Sequence, residues 1–439
     1  MTTFYIHTLG CKVNRYESDG MATELEKKGG IRTDRPAKAD VCIINTCSVT
    51  SKAGMQSRQE IRRIRKSNPN ARLIVTGCYA QTESETVRAI SGVDQVIGHE
   101  QKFGIADMVS GGHCLHADQE NSIPAACSDT VFRTFPSPVK GEMTRAYLKI
   151  QDGCNAFCSY CIIPYARGRS RSMPEKEILE HLKILSDSGY NEVILTGIHI
   201  GNWGVDLPCS PTFTDLLEKI VREKPVSRIR ISSIEPMEVS DGILDLIREG
   251  HTICDHLHIP LQSGDDMILE RMNRPYRTEF FRDLIEKVHH AAPSASIGTD
   301  MIAGFPGETN QSFERTLALV QSLPLAYMHV FPFSPRKGTR AYDFTDRVPD
   351  KTVTDRCARL RDVSTTKHRA FAAGFFGTVL NGIVLEKRSP QTGQLKVVTS
   401  NYLTVSVEGN DSLKGKMVDV QVEKWDAGTC LTGTIQPEQ

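Results

Sequence analysis

The sequence predicts an α/β protein of three units: a parallel-sheet domain, a partial (β/α)6 barrel and a small antiparallel β-barrel. Three observations carry this. Short, near-continuous apolar runs alternate with helical stretches over the first hundred residues, as strands of a parallel sheet covered on both faces do. Six further strand–helix repeats follow Arg145. After about Thr366 the pattern gives way to short β-prone runs divided by Gly, Asn and Asp. The predicted boundaries are 1–111, a linker over 112–143 containing Pro and Ser, 144–366 and 367–439.

The elements follow in order. FYIHTLGC (4–11), VCIINTC (41–47) and RLIVTGC (72–78) read as strands. A helical stretch from Ser18 to Lys28 follows the first, and a polar, basic helix over 52–67 follows the second. Each strand ends in a cysteine: Cys11, Cys47 and Cys78. Ligands of open parallel sheets bind beyond the carboxyl ends of the strands, so these three thiols are expected to converge. In the second unit the strands are AYLKIQDG (146–153), EVILTG (192–197), RIRISS (228–233), DHLHIP (255–260), SIGTDMIAG (296–304) and AYMHVFPFS (326–334). Helices such as 174–189 and 278–291 separate them. A barrel places its chemistry at the carboxyl ends of its strands.

Bulk composition excludes several classes. No run of about 18 apolar residues is present, so no membrane span is expected. MTTFYIHTLGCKVN lacks the basic head and apolar stretch of a secretory signal, which points to the cytoplasm. The 53 basic side chains balance 53 acidic ones, so any nucleic-acid surface must be local. Thirteen cysteines are many for a reducing compartment, where they more often bind metal or do chemistry than pair.

The stretch DGCNAFCSYC (152–161) sets Cys154, Cys158 and Cys161 in a C-x3-C-x2-C array directly after the first barrel strand. Structural zinc takes four protein ligands and a disulfide two thiols. Three thiolates on one short loop suit an iron–sulfur cube with one iron left open. A zinc half-site at Cys158 and Cys161 is the alternative.

With Tyr160 before its last cysteine, this array resembles that of the radical S-adenosylmethionine (SAM) enzymes. The three-cysteine first unit, the barrel and the terminal β-barrel together resemble the methylthiotransferases. HTLGCKVN (7–14), INTCSVT (44–50), RQEIRRIRKSNP (58–69), TGCYAQ (76–81) and QDGCNAFCSYCIIPYARGRSRS (151–172) are most similar to the threonylcarbamoyladenosine tRNA methylthiotransferases. The resemblance implies a [4Fe–4S] cluster on Cys154, Cys158 and Cys161 whose open iron chelates SAM. It implies a second, auxiliary [4Fe–4S] cluster on Cys11, Cys47 and Cys78 that carries the sulfur. Two SAM molecules would serve each turnover, one methylating that sulfur and one generating the radical. The product would carry a methylthio group at C2 of the modified adenosine at position 37, beside the anticodon. A flavodoxin or ferredoxin is the kind of electron donor implied. The terminal β-barrel resembles the RNA-binding TRAM domain.

No side chain is expected to act as a general base, because the cofactor carries the chemistry. Tyr160, Gly197 in LTGIHIG, and Ser232, Ser233 and Glu235 in ISSIEP are expected to contact cofactor at the barrel mouth. His258 reads as a core histidine, and Asp300 as a buried carboxylate that needs partners. Arg58, Arg62, Arg63, Arg65 and Lys66 give one basic helix, and Arg167, Arg169 and Arg171 follow the cysteine loop. All eight are expected to contact tRNA phosphate; the second group could also clamp cofactor carboxylate. Sister readings keep the chemistry and change the substrate to isopentenyladenosine tRNA or a ribosomal-protein aspartate. A different class is a non-catalytic RNA-binding metalloprotein holding zinc; another is a simple electron carrier.

Overall fold

The computed structural model describes residues 1–111, 131–137, 143–250, 252–426 and 430–437. The expected linker thus lies mostly outside the described residues. Within its described part Phe135 is buried, with its ring 4.4 Å from that of Phe103 and 6.5 Å from that of Tyr16.

The first unit is a five-stranded, all-parallel sheet. Its spatial order is Ile31–Arg32, Thr3–Thr8, Val41–Thr46, Arg72–Gly77, Gln95–Val96. Chain order 2-1-3-4-5 is that of a doubly wound sheet, and its switch point lies between Thr3–Thr8 and Val41–Thr46. Val41–Thr46 is buried at every position, as expected of a central strand covered on both faces. The first helix runs Lys12–Lys27, six residues earlier than its apolar pattern suggested. Gly10, at φ +99°, turns the chain sharply, and extended Cys11 becomes the N-cap.

The second unit contains six parallel strands in chain order, each near its predicted position. Ala146–Lys149, Glu192–Thr196 and Arg228–Ile231 form one sheet; His256–His258, Ser296–Ala303 and Tyr327–Pro332 form the other. Parallel bridges Ile229–Ile253 and Ser233–His258 join them into one curved wall. Helices such as Glu175–Asp187 and Thr278–Ala291 bury Ile178, Leu182, Phe281 and Ile285 against its outside.

The third unit is a closed five-stranded barrel. Four of its pairings are antiparallel, but Thr404–Val407 pairs parallel with Cys430–Ile435. The preceding helix does not stop at Thr366. It continues to Ala373, where Phe371 and Ala372 pack into the barrel core. Arg228 and Arg230 dock this barrel on the second unit: Arg228 donates to Val398 O at 3.2 Å, and Arg230 to Thr399 O and Ser400 O at 3.0 and 2.9 Å. Both arginines are held by buried Glu192. Among the described residues no helix is long and apolar enough to cross a membrane.

Candidate active site

Cys11, Cys47 and Cys78 lie where the first sheet ends, about its switch point. Two glycines allow their approach. A Cβ on Gly10 would stand 2.7 Å from Cys47 Cβ, and one on Gly77, at φ +95°, would stand 2.4 Å from Thr46 O. Only glycine fits either position. Asn14 fixes the loop by donating to Leu9 O at 2.8 Å and Thr46 O at 3.0 Å. Burial, then the neighbouring Cys78, with Cys11 a smaller contributor, pushes the Cys47 thiol up to about 12. Burial raises Cys78 as well, and Cys11 adds to it.

In the second triad, Cys154, Cys158 and Cys161 are half-buried on the loop after Gln151–Asp152. Cys154 N donates to Gly168 O at 3.1 Å, closing the loop. Ala156 N donates to Cys154 Sγ at 3.4 Å, and Arg274 Nη1 to Cys158 Sγ at 3.3 Å. His199 Nδ1 lies 3.5 Å from Cys154 Sγ, and its Nε2 lies 2.5 Å from Glu238 Oε1. Burial and the neighbouring Cys158 push Cys161 up to about 12.

Both triads fit an iron–sulfur core. Their donors are all thiols, the ligands such clusters take. Neighbouring thiolates repel one another, and a cationic metal core between them would remove that cost. The N–H donors to sulfur are the kind that tune such a cluster. Among the described residues, neither triad brings its three sulfurs within 4.8 Å of one another. A single zinc with bonds of about 2.3 Å would need a tighter set.

One buried network joins the two triads. Arg167, just beyond the Cys161 loop, donates to Glu17 Oε1 at 2.9 Å, Asp152 Oδ1 at 3.0 Å and Asn14 Oδ1 at 2.8 Å. Lys102 lies 2.6 Å from Glu17, and Lys149 2.8 Å from Asp152. Arg167 also interacts electrostatically with Cys78. The Cys78–Thr82 helix packs on the Ile163–Arg167 helix. The first unit is thus clamped to the barrel at the cysteine loops.

This corrects the expectation for two arginines. Arg167 is 1% exposed and Arg171 6%, and Arg171 donates to Arg167 O, so neither faces RNA. A buried guanidinium needs charged partners, and Glu17 and Asp152 supply them. The basic helix also divides. Arg58 donates to Tyr79 Oη at 2.6 Å, and Arg65 to Gly92 O, Pro69 O and Ala71 O. Arg63 pairs with Glu60. Arg62 and Lys66 are exposed, as is Arg169, which stands 5.1 Å over the Phe157 ring.

The residues expected at the cofactor spread similarly. Tyr160 packs against Ile268, Met272 and Phe305 and interacts with Cys158 and Arg274. Glu235 pairs with Arg274, which brings it to the cysteine loop. Gly197 lies beside Gln151, whose Oε1 accepts from Ile198 N and His199 N. Ser232 and Ser233 do not share a face: Ser232 is buried, with no partner for its Oγ among the described residues, and Ser233 is exposed. Successive residues leaving a strand alternate in this way. Sequence reasoning missed His199, Glu238 and Arg274. His199 stands two residues beyond Gly197, but Arg274 arrives from a turn far along the chain.

Inside the curved wall, Asp300 Oδ1 lies 3.0 Å from His258 Nε2 and 3.2 Å from His329 Nδ1. Burial opposes its charge, but the two histidines hold the carboxyl well below the usual range. His258 is therefore a partner for that carboxylate as well as part of the wall.

Residues 3–98 match the model of "Uncharacterized protein family UPF0004", and residues 148–320 that of the Radical SAM superfamily. The chain is 38% identical over 430 residues to the threonylcarbamoyladenosine tRNA methylthiotransferase MtaB of Bacillus subtilis, covering 97% of this chain and 94% of that protein. It is 32% identical over 450 residues to the tRNA-2-methylthio-N(6)-dimethylallyladenosine synthase of Clostridium botulinum strain Loch Maree, covering 98% and 96%. In fold it is similar to the radical SAM methyltransferase TsrM of Kitasatospora setae, at TM-score 0.56 and 16% identity, covering 78% of this chain and 77% of that one. Matching motifs, architecture and full-length similarity lead to one conclusion: the chain belongs to the family of radical SAM tRNA methylthiotransferases.

Proposed function

We propose that this enzyme converts N6-threonylcarbamoyladenosine at position 37 of tRNA to its 2-methylthio derivative. The reading includes two [4Fe–4S] clusters, on Cys154, Cys158 and Cys161 and on Cys11, Cys47 and Cys78, and two SAM molecules per turnover. The observation that carries it is the placement of the two thiol triads on adjoining carboxyl-end faces, clamped through Arg167. The substrate is supported by the identity to threonylcarbamoyladenosine enzymes, 38% for that of Bacillus subtilis and 32% for that of Aquifex aeolicus, the higher of which exceeds the 32% to the dimethylallyladenosine synthase.

When bound, the barrel cluster and SAM supply the radical chemistry that an unactivated C2–H requires. The chain's own residues position and shield it. Arg274 bonds the Cys158 sulfur while pairing with Glu235, fixing one wall of the SAM site. His199, held by Glu238, fixes Cys154. Tyr160, Gly197, Ser232 and Glu235 line the reading's cofactor side, and Ser233, on the other face of the strand end, does not. Arg62, Lys66 and Arg169 present exposed charge to RNA phosphate, with Arg63 shared with Glu60. The terminal barrel serves as a TRAM-like RNA contact. A flavodoxin or ferredoxin delivers the electrons, and the reaction belongs to the cytoplasm.

The test is mass spectrometry of tRNA nucleosides from cells lacking this protein. Loss of the 2-methylthio mass from threonylcarbamoyladenosine alone supports the assignment. Loss from isopentenyladenosine instead moves it to the sister substrate, and an unchanged profile refutes both.

A further inference from the structure

Three adjacent strands of the barrel wall bring one side chain each to a common point. His258 ends the strand His256–His258, Asp300 lies within Ser296–Ala303, and His329 lies within Tyr327–Pro332. The parallel register sets Asp300 beside His329, and His258 beside Gly298, two residues before Asp300 and so on the same face. Gly298 is required there: a Cβ on it would stand 2.1 Å from the Tyr327 ring, which fills the space a side chain would take. One donor atom from each of His258, Asp300 and His329 lies within 4.8 Å of the other two. The set contains no cysteine and belongs to neither triad.

Plain charge pairing would account for some of these contacts, but three features suit a metal ion. The first is spacing. Asp300 Oδ1 lies 3.0 Å from His258 Nε2 and 3.2 Å from His329 Nδ1. Bonds of about 2.1 Å to one ion set neighbouring donors about 3.0 Å apart at right angles and about 3.4 Å apart in a tetrahedron. Both separations fall in that span. The second is the outer shell. Tyr327 Oη lies 3.1 Å from His258 Nδ1 and 2.8 Å from His256 Nε2. When His258 Nδ1–H donates to Oη, and the hydroxyl donates onward to His256 Nε2, His258 Nε2 keeps its lone pair, the form in which imidazole ligates a metal. The third is access. His329 is 56% exposed and, with Tyr327, lines a cavity of about 440 Å³, so an ion has a way in. Arg228 and Arg230, on the neighbouring strand, are committed to Glu192 and do not compete for Asp300.

We propose that His258, Asp300 and His329 bind one divalent transition-metal ion, separate from the two proposed iron–sulfur clusters. Two imidazoles and one carboxylate form a donor set for ions such as Fe²⁺, Zn²⁺ or Mn²⁺. Three protein ligands leave positions for water or for the oxygen atoms of a ligand. The inference does not depend on which nucleoside is the substrate.

The experiment titrates Mn²⁺ into the cluster-reconstituted, oxidised enzyme, whose clusters are diamagnetic, and follows the loss of the free Mn²⁺ EPR signal. Mn²⁺ is the probe because it favours oxygen and nitrogen donors over the thiolates of the two triads. The wild-type enzyme is expected to take up close to one tightly held ion per chain, with nitrogen couplings from two imidazoles in pulsed EPR. Losing an outer-shell partner already costs about tenfold in affinity, so His329→Gln and Asp300→Asn, at matched iron and sulfide, should each lose at least that. His329 is exposed, so its variant is expected to fold even where the Asp300 variant does not. A wild-type enzyme that takes up no Mn²⁺, or whose bound ion shows no imidazole nitrogen, overturns the proposal. So does an affinity unchanged in His329→Gln, which would mark the bound Mn²⁺ as an adventitious ion only.

Discussion

Replacing Arg167 with Met separates two roles that its sequence position leaves open. In the structure Arg167 is 1% exposed and donates to Glu17, Asp152 and Asn14 at 2.8 to 3.0 Å. Met keeps much of the volume and removes the charge. Glu17 keeps Lys102 at 2.6 Å, and Asp152 keeps Lys149 at 2.8 Å and Arg171 at 3.9 Å, so three cations still face two carboxylates. What is lost is the guanidinium that joins the units and the donor to the buried Asn14 oxygen. Breaking a buried ion pair costs about 3–5 kcal/mol, and the remaining lysines set the expectation near the lower end, about 3. With an m-value of about 3 kcal/mol/M, the urea midpoint should fall by about 1 M. The assay is urea unfolding followed by the fluorescence of Trp203, which is buried in the barrel. RNA affinity measured against salt on the folded variant should keep its slope. If Arg167 were instead a phosphate contact, the midpoint would stay put and the slope of log K against log salt would shrink by about one. That result would refute the clamp.

Other perturbations have distinct expected outcomes. Glu192→Gln strips the shared counter-ion from Arg145, Arg228 and Arg230 and should cost about 3–5 kcal/mol, with loosened docking of the terminal barrel visible as faster proteolysis near Asn381. Burial opposes the charge of Glu192, but the three arginines pull its carboxyl down to about 2. Its folded pKa lies below the unfolded value of about 4.3, so its contribution is complete above pH about 5 and fades as pH falls toward 2; the Gln variant should show a flatter acid limb in urea midpoints across that window. Arg62→Gln with Lys66→Gln should weaken anticodon RNA binding and reduce the salt slope by about two without moving the unfolding midpoint. Arg65→Gln should do the reverse, because Arg65 is spent on Gly92 O, Pro69 O and Ala71 O.

The strands and cysteines were legible because both signals are local. Val41–Thr46 announces burial by being apolar along its length, and Cys11, Cys47 and Cys78 each mark a strand end. The expectation that they converge came from a general rule of parallel sheets, and the 2-1-3-4-5 order puts the first two strand ends beside the switch point. Charge was less legible. Arg167, Arg169 and Arg171 look alike in sequence, yet only Arg169 is exposed. The acids that decide this, Glu17 and Asp152, lie on two different units. Arg274 and His199 were hidden for the same reason, since their partners are the cysteine sulfurs and acids of other loops. The early start of the first helix was masked by the Gly10–Cys11 pair, which reads as a turn and serves as the cap.

The account stands on the proposal that each of the two thiol triads holds an iron–sulfur cube. The direct measurement is iron and acid-labile sulfide per chain after anaerobic reconstitution, with visible absorption, for the wild type and for triple Cys→Ala variants of each triad. About eight irons in the wild type and about four in each variant, all brown, is the predicted result. A colourless zinc protein, or an iron content indifferent to the loss of Cys11, Cys47 and Cys78, would contradict it.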